Sequence, residues 1–186
     1  LYTPDLNDAA SNAQALEKAI DDLCAAIANF ASSEGGIAVV TDRHVSRERA
    51  ALPMIIVVSA INQKLIEEGL RLRMSLIVES GQVASSHHVA TVLGFGAAAV
   101  YPLGAQFRAE EKFGDEADKA FKRFAKAAEK SLMKTLGKVG LCTAESYIGG
   151  EFFEPNFLDT TDPDLRRYFP NVKTPAGGVT FKGIAQ

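Results

Sequence analysis

Val78-Glu79-Ser80-Gly81-Gln82-Val83-Ala84-Ser85-Ser86-His87-His88-Val89-Ala90-Thr91-Val92-Leu93-Gly94-Phe95-Gly96-Ala97-Ala98-Ala99-Val100 is the run on which the fold turns. It begins at the end of a buried strand, Met74 to Glu79, and breaks at the small turn Ser80-Gly81. The pattern then predicts a helix of about three turns, from about Ser85 to Leu93. Gly94-Phe95-Gly96 ends that helix, and Ala97 to Tyr101 reads as a second strand, stopped by Pro102. Strand, helix crossover and strand in so few residues make a parallel pair, because an antiparallel return needs only a tight turn.

Working upstream, Leu16, Ala19, Ile20, Leu23, Ile27 and Phe30 recur at three and four, one stripe of a helix from about Asp8 to Ser32. Ser-Ser-Glu-Gly-Gly closes it, and Gly36 to Thr41 reads as another buried strand. A charged loop, Asp42 to Ala50, holds His44 and three arginines. Pro53 opens the next helix, since proline is tolerated in a first turn, and Gly69 stops it. Downstream of Pro102 a polar stretch leads to a helix from about Asp115 to Leu136. Acidic residues open it and Lys134 lies near its end, the order the helix dipole favours. Val139 to Thr143 reads as a fourth short strand and Ala144 to Phe152 as a short helix. The Pro-, Asp- and Gly-rich tail from Glu154 has one expected helical turn, Asp164 to Tyr168.

The fold class is therefore α/β, a mostly parallel sheet of about four strands with helices on its faces. A closed eight-stranded barrel takes about 250 residues, so an open or partial-barrel βαβ arrangement is what remains. The 186 residues, with 47% hydrophobic and 23% charged, suit one domain and exclude disordered, collagenous and disulfide-scaffold classes. A net charge of -3 argues against nucleic acid or an anionic membrane as partner, since both need a cationic footprint. The opening Leu-Tyr-Thr-Pro-Asp has neither a basic nor an apolar signal region, which points to a cytoplasmic setting. No initiator Met precedes it, as expected of a chain cut from something longer. Cys24 and Cys142 are expected to be two buried, reduced thiols.

Candidate chemistry concentrates where strands end. Asp42, Ser80 and Gly81, with the Gly94 to Gly96 turn, form a possible phosphate site, with Arg43 or Arg47 neutralising the anion. The other reading of Ser80-Gly81 is a plain βα turn. Asp42 is a single carboxylate without a visible partner in sequence. His87 and His88 are adjacent, so on a helix they diverge and cannot share one metal, and no metal site is expected. His44, among Asp42, Arg43, Arg47, Glu48 and Arg49, has two readings, an anion contact and, favoured here, a solvated, salt-linked loop. No P-loop, nucleophile elbow or dinucleotide fingerprint occurs, so no catalytic residue is assigned.

Several runs together resemble the glutamate synthase large subunit. They are Thr41-Asp42-Arg43, Leu52-Pro53, Leu65 to Arg71, Leu76 to Gly81, His87-His88, Leu93 to Ala97 and Ala99-Val100, in the family's order. Lys130 to Lys134, Gly137 to Leu141, Ser146-Tyr147, Gly149 and Phe153-Glu154, with Tyr168-Phe169 and Gly177-Gly178, resemble the segment leading into its flavin domain. The chain departs from the family at Asn62-Gln63-Lys64, where histidines are usual, and at Gly81 to Ser85, Ile148, Glu151 and Pro175 to Gly178. It is similar to a divergent member.

The resemblance implies one α/β domain over 1–186: central domain to about 110, then a helical lead-in from about 115. In such an enzyme an amidotransferase releases ammonia from glutamine. A flavin barrel with an iron–sulfur cluster then reduces the imine formed with 2-oxoglutarate, and the central domain connects the two. The flavin and iron–sulfur sites would lie in sequence absent here, leaving this stretch without a cofactor and acting as a scaffold. Its partners would be the other domains or subunits, or a second copy covering the sheet edge. The alternative is a free-standing domain that binds a phosphate or nucleotide ligand at the strand ends.

Overall fold

A computed structural model describes residues 1–186. α1 (Ala9–Ser33) starts where expected because the Asp8 carboxylate accepts hydrogen bonds from the Ala10 and Ser11 amides. β1 (Gly36–Thr41), α2 (Met54–Glu67), β2 (Met74–Glu79), α3 (Ser86–Gly94) and β3 (Ala99–Tyr101) follow in alternation. The Ser85 hydroxyl caps α3 by accepting from the His88 amide. α4 (Leu103–Phe113), α5 (Ala117–Val139), α6 (Pro163–Tyr168) and α7 (Phe181–Ile184) complete the chain.

The three strands form one sheet in the order β1-β2-β3, and β2 pairs with β3 in parallel through Ile77 with Ala99, Val78 with Val100 and Glu79 with Tyr101. Side chains alternate across a pleated strand. Val40, Leu76 and Val78 are buried on one face, while Val39, Ile77, Ala99 and Tyr101 belong to the other and keep solvent exposure.

The chain divides into two compact units. The first comprises Leu1–Ala38, His44–Ser75 and Phe153–Gln186. In it α1 packs on α2 and α7, and α2 on α6. α2 is buried on nearly every side, with Ile56, Val57, Ile61 and Leu65 all but inaccessible. Each such side chain contributes about 1.5–3 kcal/mol of burial. Two polar groups of α2 are satisfied within the unit: Ser59 Oγ donates to the Tyr168 carbonyl at 2.5 Å, and Asn62 Oδ1 accepts from Arg71 Nε at 2.6 Å. The second unit comprises Val39–Arg43 and Leu76–Phe152. There α5 packs along α3 and α4, and Tyr101 meets Phe121 of α5 at 5.4 Å between ring centroids. The loop after α5 is tied to the end of α3, with the Gly149 amide donating to the Leu93 carbonyl and the Glu151 amide to the Gly94 carbonyl.

Several expectations are corrected. The sheet has three strands rather than four. Val139 ends α5, and Gly140 at φ 77° caps it in the left-handed region, which turns the chain away before Leu141 to Thr143 can extend. Ala144 to Phe152 forms turns rather than a helix, because Gly149 and Glu151 both take positive φ. The polar stretch after Pro102 is helix α4, which buries only Leu103 and Ala109 and so shows little periodic signal. Cys142 is exposed, whereas Cys24 is buried.

Candidate functional site

The carboxyl ends of parallel strands are where α/β sites form, and here they bring Asp42, Ser80 and Gly81 together. β1 ends at Thr41, so Asp42 turns inward and is buried, and Ser80 directly after β2 is fully buried. The Asp42 carboxylate has three partners, contrary to its isolated place in the sequence. Ser80 Oγ donates to Oδ2 at 2.6 Å, the Gly81 amide to Oδ1 at 2.8 Å, and Gln82 Nε2 to Oδ2 at 3.2 Å. Ser80 Oγ also accepts from the Gln82 amide at 3.0 Å. The backbone is equally committed: the Ser80 amide donates to the Tyr101 carbonyl, and the Gly104 amide to the Ser80 carbonyl.

A phosphate would compete for the Gly81 amide, but an internal carboxylate already receives it. Arg43 turns elsewhere. Its Nη2 and Nε donate to the two oxygens of Glu79 at 2.5 and 3.2 Å, and Thr41 Oγ1 donates to the same carboxylate at 2.7 Å. That hydrogen bond with Glu79 raises the Arg43 pKa further. Gly94 and Gly96 stand apart from this cluster. They precede β3 and so lie at the amino edge of a parallel sheet, whereas Asp42 and Ser80 lie at its carboxyl edge. The expected grouping of all six residues is therefore not formed.

A residue missing from the sequence reading holds the turn shut. A Cβ on Gly104 would stand 2.3 Å from the Gly81 carbonyl oxygen, so α4 can seat against this turn only through glycine. One on Gly81 itself would meet nothing closer than Asp42 Oδ1 at 3.7 Å. The signal available was a glycine inside the first turn of a helix opened by Pro102. Chemically the cluster is a latch: a carboxylate shared by a hydroxyl, a backbone amide and a side-chain amide, with its serine closed to solvent.

Other candidate groups are dispersed. His44, His87 and His88 are all exposed, so neither histidine of the adjacent pair is packed away; His88 Nδ1 accepts from the Ala84 amide at 3.3 Å. No three His, Cys, Asp or Glu side chains are grouped to hold a metal ion. The first unit has a cleft of about 300 Å³ lined by Asp21, Cys24, Gln63, Lys64, Arg167 and Tyr168, among others. Its two cations are spent on carboxylates, Arg167 reaching Glu17 at 3.0 Å and Asp21 at 2.5 Å, and Lys64 reaching Glu68 at 2.8 Å. Burial pushes the Cys24 thiol up to about 11, which removes it as a nucleophile near neutral pH. No helix is long and apolar enough to cross a membrane.

Comparison with known proteins matches the sequence of this chain to a family. The chain is 27% identical to the NADPH glutamate synthase large chain of Bacillus subtilis over 92% of its length, which is 11% of that protein. It is 31% identical to the ferredoxin-dependent glutamate synthase of Cyanidium caldarium over 94% of its length, 12% of that protein. With the NADH glutamate synthase of Schizosaccharomyces pombe it shares 34% identity over 90%, spanning 8% of that relative. It thus spans about a tenth of the relatives it matches. The family model described as glutamate synthase central domain matches residues 2–157, taking in both strand ends, the Asp42 latch and the whole of α5, and the chain belongs to that family.

Proposed function

We propose that this chain is a scaffold segment of a multidomain glutamate synthase, or of a divergent homologue, and carries no chemistry of its own. In this reading the parent makes glutamate from 2-oxoglutarate and glutamine-derived ammonia, and its flavin and iron–sulfur centres sit on other domains. The observation that carries the reading is the uncovered sheet face. Parallel strands are normally buried on both sides, yet Val39 is 58% exposed, with Ile77 and Ala99 on the same face and only Tyr101 covered in part, by Phe121 of α5. A neighbouring domain laid on that face would complete the layer. The Asp42 latch supports the same reading, because its donors and acceptor satisfy each other rather than a ligand.

The first experiment is the visible spectrum of the purified chain with a calorimetric titration by FMN. The expected result is no flavin absorbance and no binding heat. Tight, saturable binding would overturn the scaffold reading and favour a phosphate-ligand domain, with Arg43, Ser80 and Gly81 as the residues to mutate. The face itself is tested by Val39→Asp with Ile77→Asp in the full-length parent. Loss of glutamate synthesis with the separate glutaminase reaction retained is expected, and full retention of synthesis would argue against coverage of this face.

A further inference from the structure

The cationic side of α5 has no counterpart within the molecule. The helix carries seven basic residues against Asp118 and Glu129, in a chain whose net charge is -3. Lys122, Lys126, Lys130, Lys134 and Lys138 follow at strict four-residue spacing, and Lys119 and Arg123 flank the start of that row. At 100° per residue Lys126, Lys130 and Lys134 lie on the side opposite Phe121, Ala128, Leu132 and Thr135, and Lys122 and Lys138 lie at its two margins. All seven are exposed, and Lys119 alone makes an ion pair, with Glu116 at 2.9 Å. The row runs about 24 Å along the axis.

Like charges four residues apart repel one another along a helix. The helix dipole acts only in the end turns, where it favours Lys138 and opposes Lys119, and it offers Lys122 to Lys134 nothing. An anionic partner would compensate the whole row. Its class follows from what else the face offers. The apolar side of α5 is already packed on α3 and α4, so nothing remains to insert into a bilayer. Phe121 and Phe124 fall on the apolar side of α5, so no aromatic ring stands on the lysine face, as a stacked nucleic acid would need. Met133, 67% exposed, stands among the cations and provides an apolar contact of the kind protein interfaces use.

We infer that the Lys122 to Lys138 face of α5 docks an acidic polypeptide surface that presents carboxylates at helical spacing. This deepens the scaffold reading, on which it rests for the expectation that protein surfaces cover this chain. The sheet face and α5 are probed by different substitutions, so either can fail alone.

The test uses the whole chain and a fluorescent helical peptide with Glu at every fourth position, followed by anisotropy at low and physiological salt. A peptide of the same composition with its Glu positions scrambled is the comparison. The expected result is binding at least tenfold tighter to the in-register peptide, weakening as salt rises. The K126E/K130E/K134E variant should lose at least tenfold, and K126Q/K130Q/K134Q should lose less, with Lys173→Glu unchanged. Circular dichroism of each variant checks that α5 is retained; a variant that unfolds is replaced by the single substitutions. Equal binding of the two peptides, or tighter binding to phosphatidylserine vesicles or to a single-stranded oligonucleotide than to the in-register peptide, would overturn the inference.

Discussion

At the scale of single residues, the turn after β2 depends on one carboxylate and one missing side chain. Replacing Asp42 by Ala strands the hydroxyl of fully buried Ser80, whereas exposed Gly81 and Gln82 find water. Buried donors that lose a charged acceptor are costly, so Asp42→Ala is expected to lower stability by about 2–4 kcal/mol in urea titrations. A double-mutant cycle with Ser80→Ala should show coupling of about 1 kcal/mol, since the two side chains share one interaction. Gly104→Ala should cost about 1–3 kcal/mol, because its Cβ would meet the fixed Gly81 carbonyl 2.3 Å away. Gly81→Ala should lie within about 1 kcal/mol of the parent, as its Cβ has open contact distances. Reversal of that order would show that Gly81 is retained for a close-approaching ligand. Thiol labelling gives a further residue-scale test. At pH 8 one equivalent of iodoacetamide is expected on exposed Cys142 and none on Cys24. The raised Cys24 pKa favours the native state below about pH 9, and that contribution fades as pH rises through about 11.

At the scale of elements, helix ends and charge patterns set the expected effects. Hydrogen bonds from the Ser11 and Ala10 amides and the Ser11 hydroxyl hold the Asp8 pKa below its ordinary value. A carboxylate whose folded pKa is depressed stabilises above its unfolded pKa, and that stabilisation is lost as pH falls through the folded value. Asp8→Ala should therefore lower the melting temperature at pH 7, with the difference from the parent closing in acid below pH 4; a constant difference at every pH would show that the cap's charge is irrelevant. α2 carries the packing of its unit, so Ile61→Ala should cost about 2–5 kcal/mol. α5 behaves differently. Relieving repulsion by Lys130→Gln should stabilise the isolated chain by a few tenths of a kcal/mol, approximately, and added salt should shrink the gain.

At the scale of the whole molecule, the alternation of β1-α2-β2-α3-β3 was legible because each crossover writes its own signals. Apolar strands of six residues, a proline opening α2, Ser85 capping α3 and glycines at helix ends are all local chemistry, and the observed bounds match them to within a residue or two. α4 was missed because it buries two side chains, and a fourth strand was expected because Leu141 to Thr143 is apolar enough for one but has no neighbour to pair with. Half of the candidate site was visible in the same way. Asp42, Ser80 and Gly81 were expected together as loop residues at parallel strand ends. Their mutual saturation was not, because it links positions 38 and 39 apart in sequence.

The amino-acid sequence by itself determined the order and type of the main elements, the parallel sense of β2 and β3, and membership of a glutamate synthase-like family, because these follow from local periodicity, capping residues and ordered motifs. Only the tertiary structure decided that Asp42 turns inward to close the Ser80-Gly81 turn, that Gly94 and Gly96 face the opposite edge, and that one side of the sheet stays open. Those outcomes depend on which backbone and side-chain groups meet across the chain, and no local pattern encodes a hydrogen-bond partner that distant in sequence.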